Sequence, residues 1–164
     1  MLKWVIKELL LLHQTLDYLK AGVQIGLSVA IDFTGSNGNP SDPRSLHFIG
    51  GNQPTQYERA IYACGNIVAY YDYDQMFLCY GFGAKINNQP TPIFNLSLQA
   101  DPNVYLIPNI IQKYHKALNL VKLWGPTNFG PILQTTNNIF RAENDKLNIY
   151  YINDFNRWND WWYW

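Results

Sequence analysis

The sequence predicts an α/β sandwich, in which helices pack around a mostly parallel central sheet. Short apolar runs typical of buried strands, at residues 23–31 and 76–83, alternate with segments of helical periodicity. The 164 residues are enough for one domain with a sizeable core, and an apolar fraction of 48% argues against disorder. Strands and helices that alternate in this way form layered domains, in which the sheet is buried between helices.

Further elements follow from local signals. Thr55 and Glu58 match a capping box, the reciprocal hydrogen-bonded pair that starts a helix. Apolar residues then recur at helical spacing and predict one face packed against a sheet: Tyr57, Ile61, Cys64, Val68 and Tyr71. Other helices are predicted over residues 1–20, from Pro108 to a stop at Gly125 and Pro126, and over 131–142, and other strands over 93–98 and 147–152.

The net charge and the positions of the cysteines and histidines argue against nucleic-acid binding and against a cysteine or histidine metal site. Twelve basic and twelve acidic side chains balance to a formal charge of zero, so a surface that tracks nucleic-acid phosphates is not expected. Cys64 and Cys79 lack the CxxC spacing of metal or redox sites, which favours free thiols in the reducing cytoplasm. The histidines are far apart in sequence, which favours scattered surface or core residues over a zinc site: His13, His47 and His115.

One loop carries a pattern typical of cation binding. Asp32, Thr34 and Ser36 directly follow the first buried strand and place a carboxylate and two hydroxyls on alternate residues. Open α/β sheets bind ligands beyond the carboxyl ends of their strands, and octahedral oxygen ligands suit Mg²⁺ or Mn²⁺. The alternative is an ordinary turn, in which Asp32 and Ser36 bond to loop amides. The spacing alone leaves both interpretations open.

The residues around this loop resemble the A domain of the copine family, a branch of the von Willebrand factor type A fold. The resemblance spans residues 16–142 and includes IDFTGSNG at 31–38 and LWGPTNF at 123–129. Other similar stretches follow the family's order, at residues 16–19, 21–24, 42–49, 71–77 and 80–85. The resemblance implies a three-layer α/β sandwich of the von Willebrand factor type A kind. It divides the chain into a lead-in at residues 1–21, an A domain at 22–152 and a non-family tail at 153–164.

The resemblance also implies a set of metal ligands. Type A domains hold a metal ion with an Asp-x-Ser/Thr-x-Ser loop, which Asp32, Thr34 and Ser36 match, and with a Thr from a later loop, which Thr127 matches. A further family ligand, the Asp of a Thr-Asp-Gly sequence, does not occur in this sequence. Asp32 is the one anionic ligand among the matched positions, so Mg²⁺ or Mn²⁺ is expected to bind weakly.

The tail at residues 153–164 differs from everything before it, because four of the six tryptophans fall within its last seven residues. Codons for residues 154–161, read one base later, can spell Ile-Leu-Thr-Asp-Gly-Met-Ile-Gly, which contains the missing motif. We therefore expect a shifted reading frame and an A domain cut off inside its fourth strand, without the last strands and helices. Truncation would expose part of residues 23–31 and favour self-association. The alternative is an aromatic tail that packs on the domain or on a partner.

These observations predict a noncatalytic binding module. The resemblance implies that the bound metal accepts an acidic side chain from a protein partner. No nucleophile and base pair supports an enzyme, and Asp32 as a general base would need His47 or Asp42 to activate it. Full-length copines reach the plasma membrane through calcium-dependent phospholipid-binding domains, so membrane binding is not expected of this chain by itself. The alternative is a truncated product without an independent function.

Overall fold

The structure is a computed structural model that describes residues 27–142, together with Asp17 and Lys20. Residues 27–142 form a mixed α/β fold with a five-stranded sheet and three α-helices. The strands are β1 (Ser28–Asp32), β2 (Met76–Ile86), β3 (Gln89–Asn95), β4 (Asn103–Tyr105) and β5 (Lys122–Leu123), and the helices are α1 (Gln56–Ala69), α2 (Ile107–Leu120) and α3 (Gly130–Ala142). The predictions for residues 1–16, 18–19, 21–26, 147–152 and 153–164 lie outside the described residues.

β2 is the strand with which every other described strand pairs. β1 runs parallel to β2 along its whole length. β3, β4 and β5 run antiparallel to β2, so the prediction of a mostly parallel sheet is wrong for the described strands. The turn between β2 and β3 explains why β3, which forms the longest of the antiparallel pairings, runs antiparallel to β2. Asn87 and Asn88 have φ angles of 52° and 64°, and two successive residues of positive φ form the tight turn of an antiparallel hairpin.

The bounds of β3 differ from the predicted residues 93–98. The strand begins at Gln89 and contains Pro90 and Pro92, which interrupt the apolar pattern in the sequence. Proline lacks an amide hydrogen, but an edge strand tolerates it because one side of its backbone faces away from the sheet. β2 continues to Ile86 rather than ending at Gly83. β4 and β5 were not predicted, because strands of three and two residues are too short to show a pattern.

The helices follow the predicted signals closely. The capping box of α1 is confirmed: the Thr55 hydroxyl accepts a hydrogen bond from the Glu58 amide, and the Glu58 carboxylate accepts one from the Thr55 amide. α2 begins at Ile107, with Pro108 in its first turn, and α3 begins one residue before its predicted start. The predicted stop of α2 at Gly125 and Pro126 is wrong, because the helix ends at Leu120 and the chain continues as β5. Tyr71 was wrongly predicted on the buried face of α1, since it lies beyond the helix and is 43% exposed. None of the helices in the described part of the chain is long and apolar enough to span a membrane.

Helices pack on both faces of the described sheet. The larger apolar cluster joins β1 and β2 to α1 and α2, and its large buried side chains include Ile31, Phe33, Tyr57, Phe77, Ile110 and Tyr114. The smaller cluster joins the same two strands to α3 through Ala30, Tyr80, Phe82 and Ile132. Successive residues of a strand point to opposite faces. Ala30 and Ile31 therefore face different helices.

β1 is buried along its whole length, and none of its residues is more than 5% exposed. The expectation that part of residues 23–31 would be exposed is wrong for residues 28–31. Helices cover both faces of this strand, and β2 pairs with one of its edges, which explains the burial. An exposed apolar edge is therefore not seen at residues 28–31, and the expected self-association stays a prediction.

The two cysteines lie in a helix and a strand, as expected. Cys64 in α1 is partly buried, Cys79 in β2 is fully buried, and both are free thiols. Burial raises the pKa of the Cys79 thiol. This thiol therefore stays protonated at neutral pH and acts as a small apolar core residue.

Gly83 lies where β2 passes the loop that follows β1. Its φ angle is +74°, and a Cβ atom at this position would lie 2.2 Å from Cγ2 of Thr34. We expect Gly83→Ala to lower the free energy of unfolding by at least about 2 kcal/mol, because both the backbone and the contact would be strained. Urea unfolding followed by circular dichroism measures this change.

Gly51→Ala is the matched control for this prediction. Its added Cβ would make an ordinary contact of 3.4 Å with the Phe48 ring. Equal unfolding free energies for the Gly83→Ala and Gly51→Ala variants would contradict the close approach of β2 to the loop.

Candidate functional site

The hydroxyl groups of Thr34, Ser36 and Thr127 lie together at the carboxyl end of β1. Thr34 follows the strand, and Ser36 lies in the short 3₁₀ turn Gly35–Asn37. The Thr34 and Ser36 hydroxyl oxygens are 2.9 Å apart, and the Thr127 hydroxyl donates a hydrogen bond of 3.1 Å to the Thr34 hydroxyl. Thr127 comes from the loop between β5 and α3. Two loops that are far apart in sequence therefore contribute to one cluster of oxygens.

Asp32 ends β1 beside this cluster and is fully buried. Its Oδ1 accepts a hydrogen bond of 2.7 Å from the Thr34 amide. This contact closes a turn over the two residues, so the carboxylate lies at the start of the segment that carries the Thr34 and Ser36 hydroxyls. The ordinary-turn interpretation correctly anticipated that the carboxylate bonds to a loop amide. The bond to the Thr34 amide also keeps the Asp32 carboxylate next to the hydroxyl cluster.

The oxygen cluster has the chemistry of a hard divalent cation site. Octahedral Mg²⁺ binds oxygen at about 2.1 Å, so neighbouring ligands lie about 3 Å apart. The two hydroxyl distances of 2.9 and 3.1 Å match this spacing. Among the residues that the structure describes, no group of three or more His, Cys, Asp or Glu side chains is arranged to hold a metal ion. Any fit of this cluster to a divalent cation therefore depends on one carboxylate, from Asp32, and on the three hydroxyls.

Three buried side chains converge on the backbone carbonyl of Asp32. His47 Nε2 lies 2.9 Å from this oxygen, Asn37 Nδ2 donates to it at 3.0 Å, and the Tyr57 hydroxyl donates at 3.3 Å. Asn37 Nδ2 also contacts the Thr34 carbonyl at 3.3 Å. These bonds connect the end of β1 to the 3₁₀ turn, to the long loop before α1 and to α1 itself.

The contacts of His47 fix its tautomer. A carbonyl oxygen accepts hydrogen bonds only, so Nε2 carries the hydrogen, and Nδ1 accepts a bond of 2.8 Å from the Tyr114 hydroxyl. Burial lowers the pKa of His47 to about 4, so the ring is neutral at pH 7. The ring also stacks on Tyr57, with centroids 4.7 Å apart, and on Phe33 at 5.5 Å.

The comparisons with known proteins identify the family. A family model described as Copine matches residues 45–153, which is more than half of the chain. The chain belongs to the copine family. This copine-family chain is 41% identical over 123 residues to "Nicotinic receptor-associated protein 1" of Caenorhabditis briggsae, and 42% identical over 122 residues to the protein of the same name from Caenorhabditis elegans. Each alignment covers 73% of the chain but only 20% and 19% of the two relatives, so the chain spans about a fifth of their length.

The buried network of this copine-family chain was not predicted from its sequence. His47 was expected to be a scattered surface or core residue, and it is a core residue that supports the candidate metal loop. Both of its ring nitrogens are used in contacts to the Asp32 carbonyl and to Tyr114, and the Asp42 carboxylate bonds to Arg44 at 2.8 Å. Neither ring nitrogen of His47 is therefore free to activate the Asp32 carboxylate as a general base.

His47 should make the stability of this copine-family chain depend on pH. The unfolded chain has the ordinary histidine pKa of about 6.5, whereas the folded-state pKa is about 4. Between these values the unfolded chain binds more protons than the folded chain, so stability falls as pH falls through this window, by at most about 1.4 kcal/mol per pH unit. Urea unfolding at pH 7 to 4, in buffer containing EDTA, measures the change.

His47→Phe provides the reference for this measurement, because it removes the titrating group and keeps an aromatic ring. The difference in unfolding free energy between the wild type and the variant should shrink as pH falls from 6.5 to 4. Two profiles that stay parallel across this range would show that His47 is not buried in its neutral form.

Proposed function

We propose that this copine-family chain is a noncatalytic binding module whose divalent cation is held by Asp32, Thr34, Ser36 and Thr127. The observation that carries the proposal is the convergence of three hydroxyls from two loops, at distances of 2.9 and 3.1 Å, beside the Asp32 carboxylate. Mg²⁺ or Mn²⁺ suits these oxygen ligands. The cation would supply a positive centre to which an anionic ligand binds.

The surrounding fold supports this proposal. Helices lie on both faces of the sheet, and the oxygen cluster lies at the carboxyl end of β1, where α/β proteins bind ligands. We therefore assign the domain to the three-layer sandwich of the von Willebrand factor type A kind.

The proposed ligand is an acidic side chain of a partner protein. A carboxylate is a hard oxygen ligand and would complete the coordination of a cation that the chain binds through one carboxylate and three hydroxyls. The names of the two relatives describe association with a nicotinic receptor, which supports a protein as the class of partner. We further propose a cytoplasmic location, with attachment to the plasma membrane only through other domains of longer family members.

Asp32→Asn tests the metal site. This substitution removes the negative charge but keeps an oxygen that accepts the Thr34 amide. Titration calorimetry of the full 164-residue chain with MgCl₂ and MnCl₂ should show weakening of at least ~10-fold, equivalent to about 1.4 kcal/mol. Thr127→Val, which removes one hydroxyl at nearly constant volume, should also weaken binding.

Asp42→Asn is the matched control, since it removes the same charge from a partly exposed position in the same loop. It should bind both metals as the wild type does. Circular dichroism melts of all four proteins establish that each is folded. The proposal is overturned if the folded Asp32→Asn variant keeps wild-type affinity, or if Asp42→Asn loses as much affinity as Asp32→Asn.

A further inference from the structure

The side of α1 that points away from the core is apolar. No charged residue occurs from Ala60 to Tyr71. The exposed residues between these two positions form what we call the outer face of α1: Tyr62, Ala63, Asn66, Ile67 and Tyr70. Ile67 and Tyr70 are 66% and 86% exposed. Helices at a protein surface usually turn charged and polar side chains outward, so the composition of this face is unusual.

The outward sides of the other two described helices are more polar. α2 exposes Leu120, but it also exposes Gln112 and Lys116. α3 exposes Leu133 beside Gln134. Single exposed leucines are ordinary, whereas contiguous exposed apolar side chains mark interaction sites. The centres of protein interfaces are also rich in aromatic residues and poor in charged ones. Among the described helices, α1 is therefore the one whose outer face has the composition of an interface.

One ridge of side chains runs along this face, because Tyr62, Asn66 and Tyr70 recur at every fourth residue. Tyr70 continues the ridge, since it caps the helix in the α conformation. Ridges of this spacing on two helices can interlock. If two copies meet antiparallel about Asn66, Tyr62 lies opposite Tyr70 of the partner subunit and Asn66 lies opposite Asn66 of the partner subunit. A side-chain amide carries both donors and an acceptor, so the two Asn66 amides can bond to each other across a twofold axis.

We propose that the outer face of α1 binds a second copy of this chain in a twofold-symmetric, antiparallel dimer. Pairing this face with itself buries no charge, whereas a charged partner surface would lose its hydration here without gaining an ion pair. Residues 60–71 span only about 18 Å along the helix axis. The face therefore buries less than the roughly 800 Å² that each partner buries in a stable complex. We expect a weak dimer that forms at high protein concentration.

The dimer has a consequence for the candidate metal site. The hydroxyl of Tyr57, in the first turn of α1, bonds to the Asp32 carbonyl, so α1 begins at the end of the sheet that carries the metal loop. Two antiparallel copies of α1 would therefore place two metal loops at opposite ends of the dimer. The outer face of α1 contains none of the proposed metal ligands. Dimer formation should therefore be unaffected by EDTA and by Asp32→Asn, and it can succeed or fail independently of the metal function.

Sedimentation equilibrium of the full 164-residue chain tests for the dimer, at protein concentrations from about 10 µM to about 1 mM. The buffer contains a reducing agent, because Cys64 in α1 is a partly buried free thiol that could cross-link two copies. The apparent mass should rise from the monomer value of 19.0 kDa toward twice that value as the concentration increases. A monomer at every concentration would overturn the inference.

Charge variants show whether α1 forms the interface. Asn66→Asp and Ile67→Lys place a charge on the outer face and should each raise the dimer dissociation constant at least ~10-fold. Both positions are exposed, and circular dichroism melts establish that each variant is folded. Asn119→Asp is the matched control, because it makes the same change at an exposed position of α2. If Asn66→Asp weakens the dimer no more than Asn119→Asp does, the copies associate elsewhere and the inference fails.

A mixture of two variants tests the twofold axis at Asn66. The variants Asn66→Asp and Asn66→Lys should each repel their own copies, whereas an equimolar mixture brings opposite charges together. The mixture should therefore associate at least ~10-fold more tightly than either variant alone. A mixture that associates no more tightly than the separate variants would refute the proposed dimer, because position 66 would then not face itself.

Discussion

The backbone carbonyl of Asp32 is the point on which the candidate site depends, because it accepts hydrogen bonds from three buried side chains. Asn37, His47 and Tyr57 come from the 3₁₀ turn, the long loop and α1, and each is held within 2.9–3.3 Å of one oxygen. Breaking the bond from His47 would leave its buried Nε2–H group without the Asp32 carbonyl as acceptor, which costs about 1–3 kcal/mol. The loop after β1 is therefore held in one conformation by the core. The hydroxyls of Thr34 and Ser36 take their positions from this framework and not from a bound ligand.

A second set of hydrogen bonds, made by the backbone of Trp124, positions the other loop of the site. The backbone of Trp124 bonds to Phe33, Gly83 and Gly35, which places Thr127, three residues later, within 3.1 Å of the Thr34 hydroxyl. Gly83 permits this arrangement because any side chain there would collide with Thr34. A site assembled before its ligand arrives loses less conformational entropy on binding. This preorganisation partly offsets the weak attraction that a single carboxylate exerts on a strongly hydrated cation.

Local patterns predicted part of this structure, and the remainder depends on contacts between distant residues. The capping box at Thr55 and the apolar runs of β1 and β2 are local signals, so the helices and the main strands were predicted close to their positions. β3 was misplaced because Pro90 and Pro92 hid its start, and the sheet was predicted as mostly parallel because the tight turn at Asn87 and Asn88 was not recognised. Asp32, Thr34 and Ser36 could be proposed from their spacing, whereas Thr127 required the family resemblance. The roles of His47 and Trp124 left no signal in the sequence, because the partners of His47 are 15 and 67 residues away.

The central claim is that a preassembled cluster of oxygens from two loops binds one divalent cation. Backbone amide NMR spectra of the full chain, recorded during a titration with MnCl₂, test it most directly, because the paramagnetic ion broadens the signals nearest to it. The account predicts that the amides of Gly35, Ser36 and Thr127 broaden first, below one equivalent of Mn²⁺, and that the signal of Asp74, at the opposite end of β2, persists. First broadening at Asp74, with the amides of Gly35, Ser36 and Thr127 unaffected, would contradict it.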